Sequence, residues 1–385
     1  MASSDEPTDS ADFARRSQEF VDWFRNAPGT RLSPKIELAD LRHRGAGRGV
    51  VATEDIAQDE ELFAVPRSLV LMATTPIANP AADADHVPSA PLPEPNSWLP
   101  LILVTVQQLL RKQQSKWHPY FRVLPAAFDS LMFWNDDELA ELQASSVRRR
   151  IGREQADADF REKAWPAMKA DPESFSLPGT SDDERAEQAV RLCHYAGSLI
   201  MAYAFDIDRD DDADRNNARL FQEDGGYLIM KAIKPIRAGD ECLNDYGPLP
   251  RSELLRMYGY VTDNYKQYDV VDFELDLLEK TAGDRRASSK AWQRRKAQLD
   301  EIGVLDDGYS FPRPEPNASL DDAIPGDLHM VLPALLSAVA TKKLSEYATS
   351  WQSDTASNQP TAPPAGVSAR RYKMAVERKK LKTGK

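Results

Sequence analysis

Two tyrosines are the first residues in this 385-residue chain whose type and spacing suggest chemistry. Tyr246 and Tyr258 stand on either side of a corner in residues 231–260, KAIKPIRAGDECLNDYGPLPRSELLRMYGY, and each precedes a glycine. A phenolic hydroxyl can donate and accept a hydrogen bond, although a tyrosine in such a place is ordinarily a core or rim residue. Other candidate chemistries fail on spacing. Residues 206–214 hold six aspartates, which invites a calcium reading. An EF-hand loop needs Gly at its sixth position and Glu at its twelfth. Counted from Asp206 those places hold Asp211 and Asn217, and from Asp208 they hold Ala213 and Arg219. The run therefore reads as a solvated acidic loop. Gly47-x-Gly49-x-x-Ala52 resembles a dinucleotide fingerprint, but that motif must open a helix, and here Val50 and Val51 lead into a β-rich stretch. Glycines 45, 47 and 49 leave bare backbone, which suits either a ligand lying against it or a plain hairpin turn. Cys193 and His194 sit inside an apolar helical pattern and read as a packed pair. Five scattered histidines and two cysteines cannot assemble a Cys-rich zinc site.

These candidates need elements to position them. Lys231 to Ile236 alternate as a strand does, Ala238-Gly239-Asp240 is a turn signal, and Pro250 suits the first turn of a helix carrying Leu254, Leu255 and Tyr258. Residues 12–26 place Phe13, Phe20, Trp23 and Phe24 at helical spacing. A turn at 56–60 precedes the strand Leu62 to Val65. Residues 73–97, rich in Ala, Pro and Asp, read as a surface loop. The apolar helix NSWLPLILVTVQQLL follows, then a charged helical pattern over 136–170 and a second apolar helix over 186–205. Residues 268–305 read as charged helix anchored by Trp292, Leu299 and Ile302, and Ile324 to Leu344 is a further apolar stretch. Residues 351–369 have the composition of a disordered linker. The tail from Arg370 carries eight Lys/Arg against one Glu and suits a final amphipathic helix, an import signal or an anionic-surface contact.

The totals set bounds on partners. No run approaches the roughly 18 apolar residues of a membrane span, and the acidic N-terminus MASSDEPTDS is unlike a signal or transit peptide. Two cysteines fit a reducing compartment. A net charge of −12 argues against broad nucleic-acid binding and suits a basic protein partner.

In order along the chain, GAGRGVVATEDI, ELFAVP, NSWLPLILV, WHPYFRVLP, LMFW, NNARL, YLIMKAIKPIRAGDE and NDYG–LPRSELLRMYGYVTDNYKQYDVV resemble the SET-domain protein lysine methyltransferases. The similar branch includes the Rubisco large-subunit methyltransferase and the fungal ribosomal-protein lysine methyltransferases, and the likeness covers roughly residues 15–345. It implies an α+β fold: a SET-domain β-fold in two parts (15–95 and 191–270), a helical insertion (96–190), a C-terminal α-helical substrate-binding domain (271–350) and a linker with basic tail (351–385). It also implies S-adenosyl-L-methionine as cofactor, lying against the backbone of Ala46, Gly47 and Arg48, with Tyr203 adding a side chain. Tyr246 matches the catalytic tyrosine, and Tyr258 a tyrosine lining the cofactor and lysine channel. No metal is implied.

One departure matters. The family carries a strand and loop, close to PLADMLN, directly before the NNARL-like segment, and its Asn helps to hold the cofactor. Here AYAFDI runs straight into DRDDDAD, which puts Asp210 and Asp211 in those positions. A carboxylate cannot supply an amide's donor. The expectations are a lysine methyltransferase acting as a monomer on a basic, ribosomal protein, in the nucleus or alternatively the cytoplasm, without direct nucleic-acid or membrane contact. The rival is a SET-fold binding module with impaired catalysis.

Overall fold

The computed structural model describes residues 10–44, 46–73, 98–203, 216–223, 226–282, 290, 293–294, 308–312, 332–356 and 364–380. Cα proximity divides the chain into two compact units, one made of residues 1–128 and 153–247, the other of 129–152 and 248–385.

In the first unit, a period-2 alternation of buried and half-buried residues makes Glu61–Pro66 (β4) a strand with one covered face. It lies in an antiparallel sheet between Arg31–Leu32 (β1) and Tyr227–Ala232 (β6), and β6 also pairs with Ala218–Glu223 (β5). The register sets Phe63 and Leu220 opposite Met230. A second sheet is the hairpin of Ile36–Asp40 (β2) and Arg48–Ala52 (β3), as the valines after the glycines require. Ile36, Ala52, Ile56, Leu62, Met230, Ala232 and Ile236 form one buried cluster under these strands, each large aliphatic side chain contributing about 2 kcal/mol of burial. The strand expected over 231–236 is displaced: β6 ends at Ala232, since Pro235 has no N–H to continue a ladder. Ile236 regains only an isolated bridge to Ile56.

Helices make up most of the other described residues of this unit. Ser10–Asn26 buries Phe13 and Phe24. Leu99–Leu110, with Pro100 in its first turn, packs against the 22-residue helix Asp182–Tyr203. Cys193, fully buried between them, belongs to that packing, and His194 donates through Nε2 to Asp157 Oδ1 at 2.5 Å. The charged helical pattern of 136–170, whose part up to Gly152 belongs to the second unit, breaks into short pieces, including a π-turn over Phe160–Ala164 just before Pro166.

In the second unit, Arg251–Tyr258 begins after Pro250 and ends at Gly259 in the left-handed conformation, φ 72°. Residues 268–305 are not the continuous helix expected. Val270–Glu274 (β7) pairs antiparallel with Gly308–Pro312 (β8), because its β-branched VVDF run favours a pleated surface. A helix starts only at Leu275 and runs to Ala282. The anchors Trp292, Leu299 and Ile302 lie outside the described residues, as does the surface loop expected before residue 98. The apolar stretch to Leu344 becomes the helix Leu332–Ser345. Trp351–Ala356 is helical where a disordered linker was expected. The basic tail forms the helix Ala369–Lys380, whose Met374 and Ala375 join Leu131, Trp134, Leu142 and Leu255 in the core of this unit.

Candidate active site

The first unit brings Arg48, Tyr203 and Tyr246 together around the end of the β2–β3 hairpin. The turn itself is pinned by backbone bonds. Leu41 N–H donates to Gly47 O at 2.9 Å and Ala46 N–H to Leu41 O at 3.2 Å. Arg42 clamps Asp40 through Nε at 2.9 Å and Nη2 at 2.6 Å, which holds that carboxyl down at about 2. Ala46 and Gly47 remain exposed. Among the described residues nothing lies within 4 Å of the place where a Gly47 Cβ would stand, so the backbone there is open to a ligand. Gly49 has a different reason for its identity: a Cβ would meet Leu41 Cδ1 at 2.4 Å and Glu241 Oε1 at 2.9 Å.

Arg48 turns its side chain away from the turn. Its guanidinium stacks 4.0 Å from the Phe13 ring centroid, Nε donates to Ser17 Oγ at 2.9 Å, and Nη1 donates to the Val123 carbonyl. What Arg48 offers a ligand is therefore backbone, while its side chain ties the hairpin to the first helix.

Tyr203 is the last residue of the helix Asp182–Tyr203, which sets it beside the strands. Burial pushes its hydroxyl up to about 12, and the nearby Tyr246 and Tyr120 add to the shift while Arg48 opposes it. Its surface is nonetheless 43% exposed, so the crowding is one-sided. Burial likewise raises the Tyr246 hydroxyl, and 40% of that residue stays open. Tyr195 donates to Pro125 O at 2.7 Å and packs on Phe128, extending the aromatic cluster beneath Tyr203.

The segment carrying Tyr246 is fixed by a residue to which no role was assigned from the sequence. Asn217 accepts from Leu243 N–H at 2.7 Å through Oδ1 and donates through Nδ2 to Glu241 O at 2.9 Å. Its own backbone N–H reaches Leu243 O at 3.0 Å, while Cys242 N–H donates to Val50 O at 2.8 Å on the other side. Residues 241–243 are thus stitched between β3 and the start of β5. The paired asparagines ahead of a strand were the only sequence signal. Asn216 beside it is 5% exposed, and its Oδ1 has no hydrogen-bond partner among the described residues. Tyr258 belongs to the second unit, where its ring centroid lies 6.5 Å from that of Tyr260. Asp210 and Asp211, in the stretch where the Asn-bearing loop was expected, lie outside the described residues. No group of three or more metal-ligating side chains occurs among the described residues.

A glycine turn, the segment 241–243 stitched between β3 and β5, and an aromatic cluster at a helix end make up the candidate site. The SET domain family model matches residues 47–247, more than half of the chain, and the chain belongs to that family. Ribosomal lysine N-methyltransferase 4 of Saccharomyces cerevisiae is 33% identical over 304 residues, which cover 69% of this chain and 60% of that protein. Human N-lysine methyltransferase SETD6 is 26% identical over 329 residues, covering 71% of this chain and 67% of its own. The crystal structure of the SET domain of LSMT bound to lysine and AdoHcy superposes with a TM-score of 0.63 at 17% identity, covering 96% of this chain and 89% of that one. At that identity the likeness is one of fold, and it bears out the α+β SET architecture. The chain spans about three-fifths of the length of the yeast relative.

Proposed function

We propose that this chain is a protein-lysine N-methyltransferase that uses S-adenosylmethionine and methylates a basic ribosomal protein of the large subunit in the nucleus. The observation that carries the reading is the placement of Tyr246 beside Tyr203, at the end of an open glycine turn, within the matched span 47–247. The 33% identity to a yeast ribosomal lysine methyltransferase supports the substrate class, and a net charge of −12 is complementary to a basic target.

The described residues suit the cofactor. The backbone of Ala46 and Gly47 is open, and Asn216 Oδ1, without a partner among the described residues, is an acceptor for a ligand N–H. What bound S-adenosylmethionine supplies is an electrophilic methyl group on a sulfonium. The chain's own residues supply alignment and electrostatics. A free lysine amine has a pKa of about 10.4 and must be neutral to attack. The partly buried side chains of Tyr203 and Tyr246 favour that neutral form by desolvation. The Tyr246 hydroxyl, protonated at neutral pH as tyrosine ordinarily is, orients the amine by a hydrogen bond.

Calorimetric titration with S-adenosylmethionine, followed by turnover of Tyr246→Phe on a ribosomal-protein mixture, tests the reading. Micromolar binding is expected, with turnover of the variant down by about 100-fold and binding retained. Unchanged turnover would remove Tyr246 from its role. A folded protein that binds no cofactor would favour the second reading, a SET-fold binding module, which the sequence DRDDDAD in place of the Asn-bearing loop supports.

A further inference from the structure

The second unit contains a cavity of about 570 Å³ that the methyltransferase reading does not use. Its size is that of a small-ligand site. Its wall carries five cationic side chains against three anionic ones, in a chain whose net charge is −12. Glu274, only 7% exposed, is the buried centre: it pairs with Arg149 and accepts from Lys343 Nζ at 2.8 Å. One carboxylate thereby holds two cations at the wall. Lys280 is matched by Asp276 at 3.0 Å, and Lys343 also reaches Glu346 at 3.1 Å. Arg148 and Lys342 have no carboxylate partner among the described residues.

Arg148 is nonetheless held in place. Its Nη1 donates to the Gln143 carbonyl at 3.1 Å, and Gln143 adopts φ 52°, a left-handed backbone uncommon for a residue other than glycine. Ser145 in the same wall is 5% exposed, and its Oγ has no hydrogen-bond partner among the described residues. The cavity therefore offers excess positive charge, an exposed guanidinium tethered at one nitrogen and a hydroxyl without a partner among the described residues. That set complements a doubly charged oxyanion.

We propose that this cavity is a second binding site, distinct from the candidate active site, and that it takes a phosphate group, either free or on a phosphorylated side chain. The test is calorimetry on the full chain at constant ionic strength, with inorganic phosphate in one arm and a phosphoserine peptide beside its unphosphorylated twin in the other. Saturable binding is expected, weakened at least about tenfold by Arg148→Gln combined with Lys342→Gln and unaltered by Lys169→Gln in the first unit. The exposed Lys342→Gln alone, which disturbs no hydrogen bond of the fold, guards against a folding artefact and should weaken binding in the same direction. Tighter binding of the phosphopeptide would assign a protein-borne phosphate, and equal binding a free one. No saturable heat in either arm, or binding undiminished in the double variant, would overturn the site. No readout depends on methyl transfer, so its failure is separate from failure of the methyltransferase reading.

Discussion

The Arg48 guanidinium lies 4.0 Å from the centroid of the Phe13 ring, and the same ring carries Arg42 at 4.5 Å. A buried aromatic of the first helix thus grips both ends of the hairpin turn that bears Ala46 and Gly47.

Phe13→Ala removes that grip. The expected cost is about 3 kcal/mol for the buried ring, together with weaker S-adenosylmethionine binding as the turn loosens. Ser17→Ala, which deletes the acceptor of Arg48 Nε and the hydroxyl's own bond to the Phe13 carbonyl, should cost about 1 kcal/mol. Chemical denaturation with and without cofactor checks both; equal affinity in Phe13→Ala would show that the turn holds without the helix.

The tail helix is tied in by Arg371, whose Nη1 donates to Glu138 Oε2 at 2.6 Å. Glu138 is 2% exposed. Burial works to raise its carboxyl, but the Asn135 N–H, Arg371 and the Ser368 N–H outweigh it, and the pKa falls below the ordinary glutamate value. A lowered carboxyl contributes stability above its unfolded pKa of about 4.3. That contribution is lost as pH drops through the lower folded value. Arg371→Ala leaves the carboxylate buried without its cation and should cost about 3 kcal/mol at neutral pH, with a smaller penalty under acid conditions. Urea melts at two pH values test this; a pH-independent penalty would refute it.

The two thiols should differ in reactivity. Burial pushes Cys193 up to about 12 and Cys242, with help from Glu241, up to about 11. Since the thiolate is the nucleophile, neither should react quickly at neutral pH. Cys242, half-buried, should label slowly in the native protein, and Cys193 only on unfolding. Mass-resolved alkylation distinguishes them, and native labelling of Cys193 would contradict its packing.

Gly259 should tolerate no side chain. At φ 72° its Cβ would fall 2.3 Å from the Asp129 carbonyl carbon, which is backbone and cannot step aside. Gly259→Ala should cost about 3 kcal/mol or more, and a wild-type melting curve would contradict the packing.

Local signals made much of this legible. The glycines followed by Val50 and Val51 announced the hairpin, and the apolar periodicity before Tyr203 announced its helix. The destination of the Arg48 side chain was not legible, because its partners Phe13, Ser17 and Val123 are distant in sequence and any of them could have faced elsewhere. Asn217 was hidden for the same reason: an asparagine substituting for backbone between two strands looks like any loop asparagine. The strand Val270–Glu274 was misread because a five-residue β-run inside charged sequence carries too few periods to outvote its surroundings. The tail pattern suits three readings, since amphipathic and basic patterns coincide there; the packing of Met374 and Ala375 shows the helix.

The boundaries of the two units cut the chain after Phe128, Gly152 and Gly247. During synthesis the first unit therefore waits for residues 153–247, and Tyr246 is nearly the last residue to enter it. A nascent or prematurely terminated chain shorter than this holds the hairpin without its tyrosine. The second unit waits longer still, since its core includes Met374 and Ala375. Neither unit can be excised as one continuous fragment.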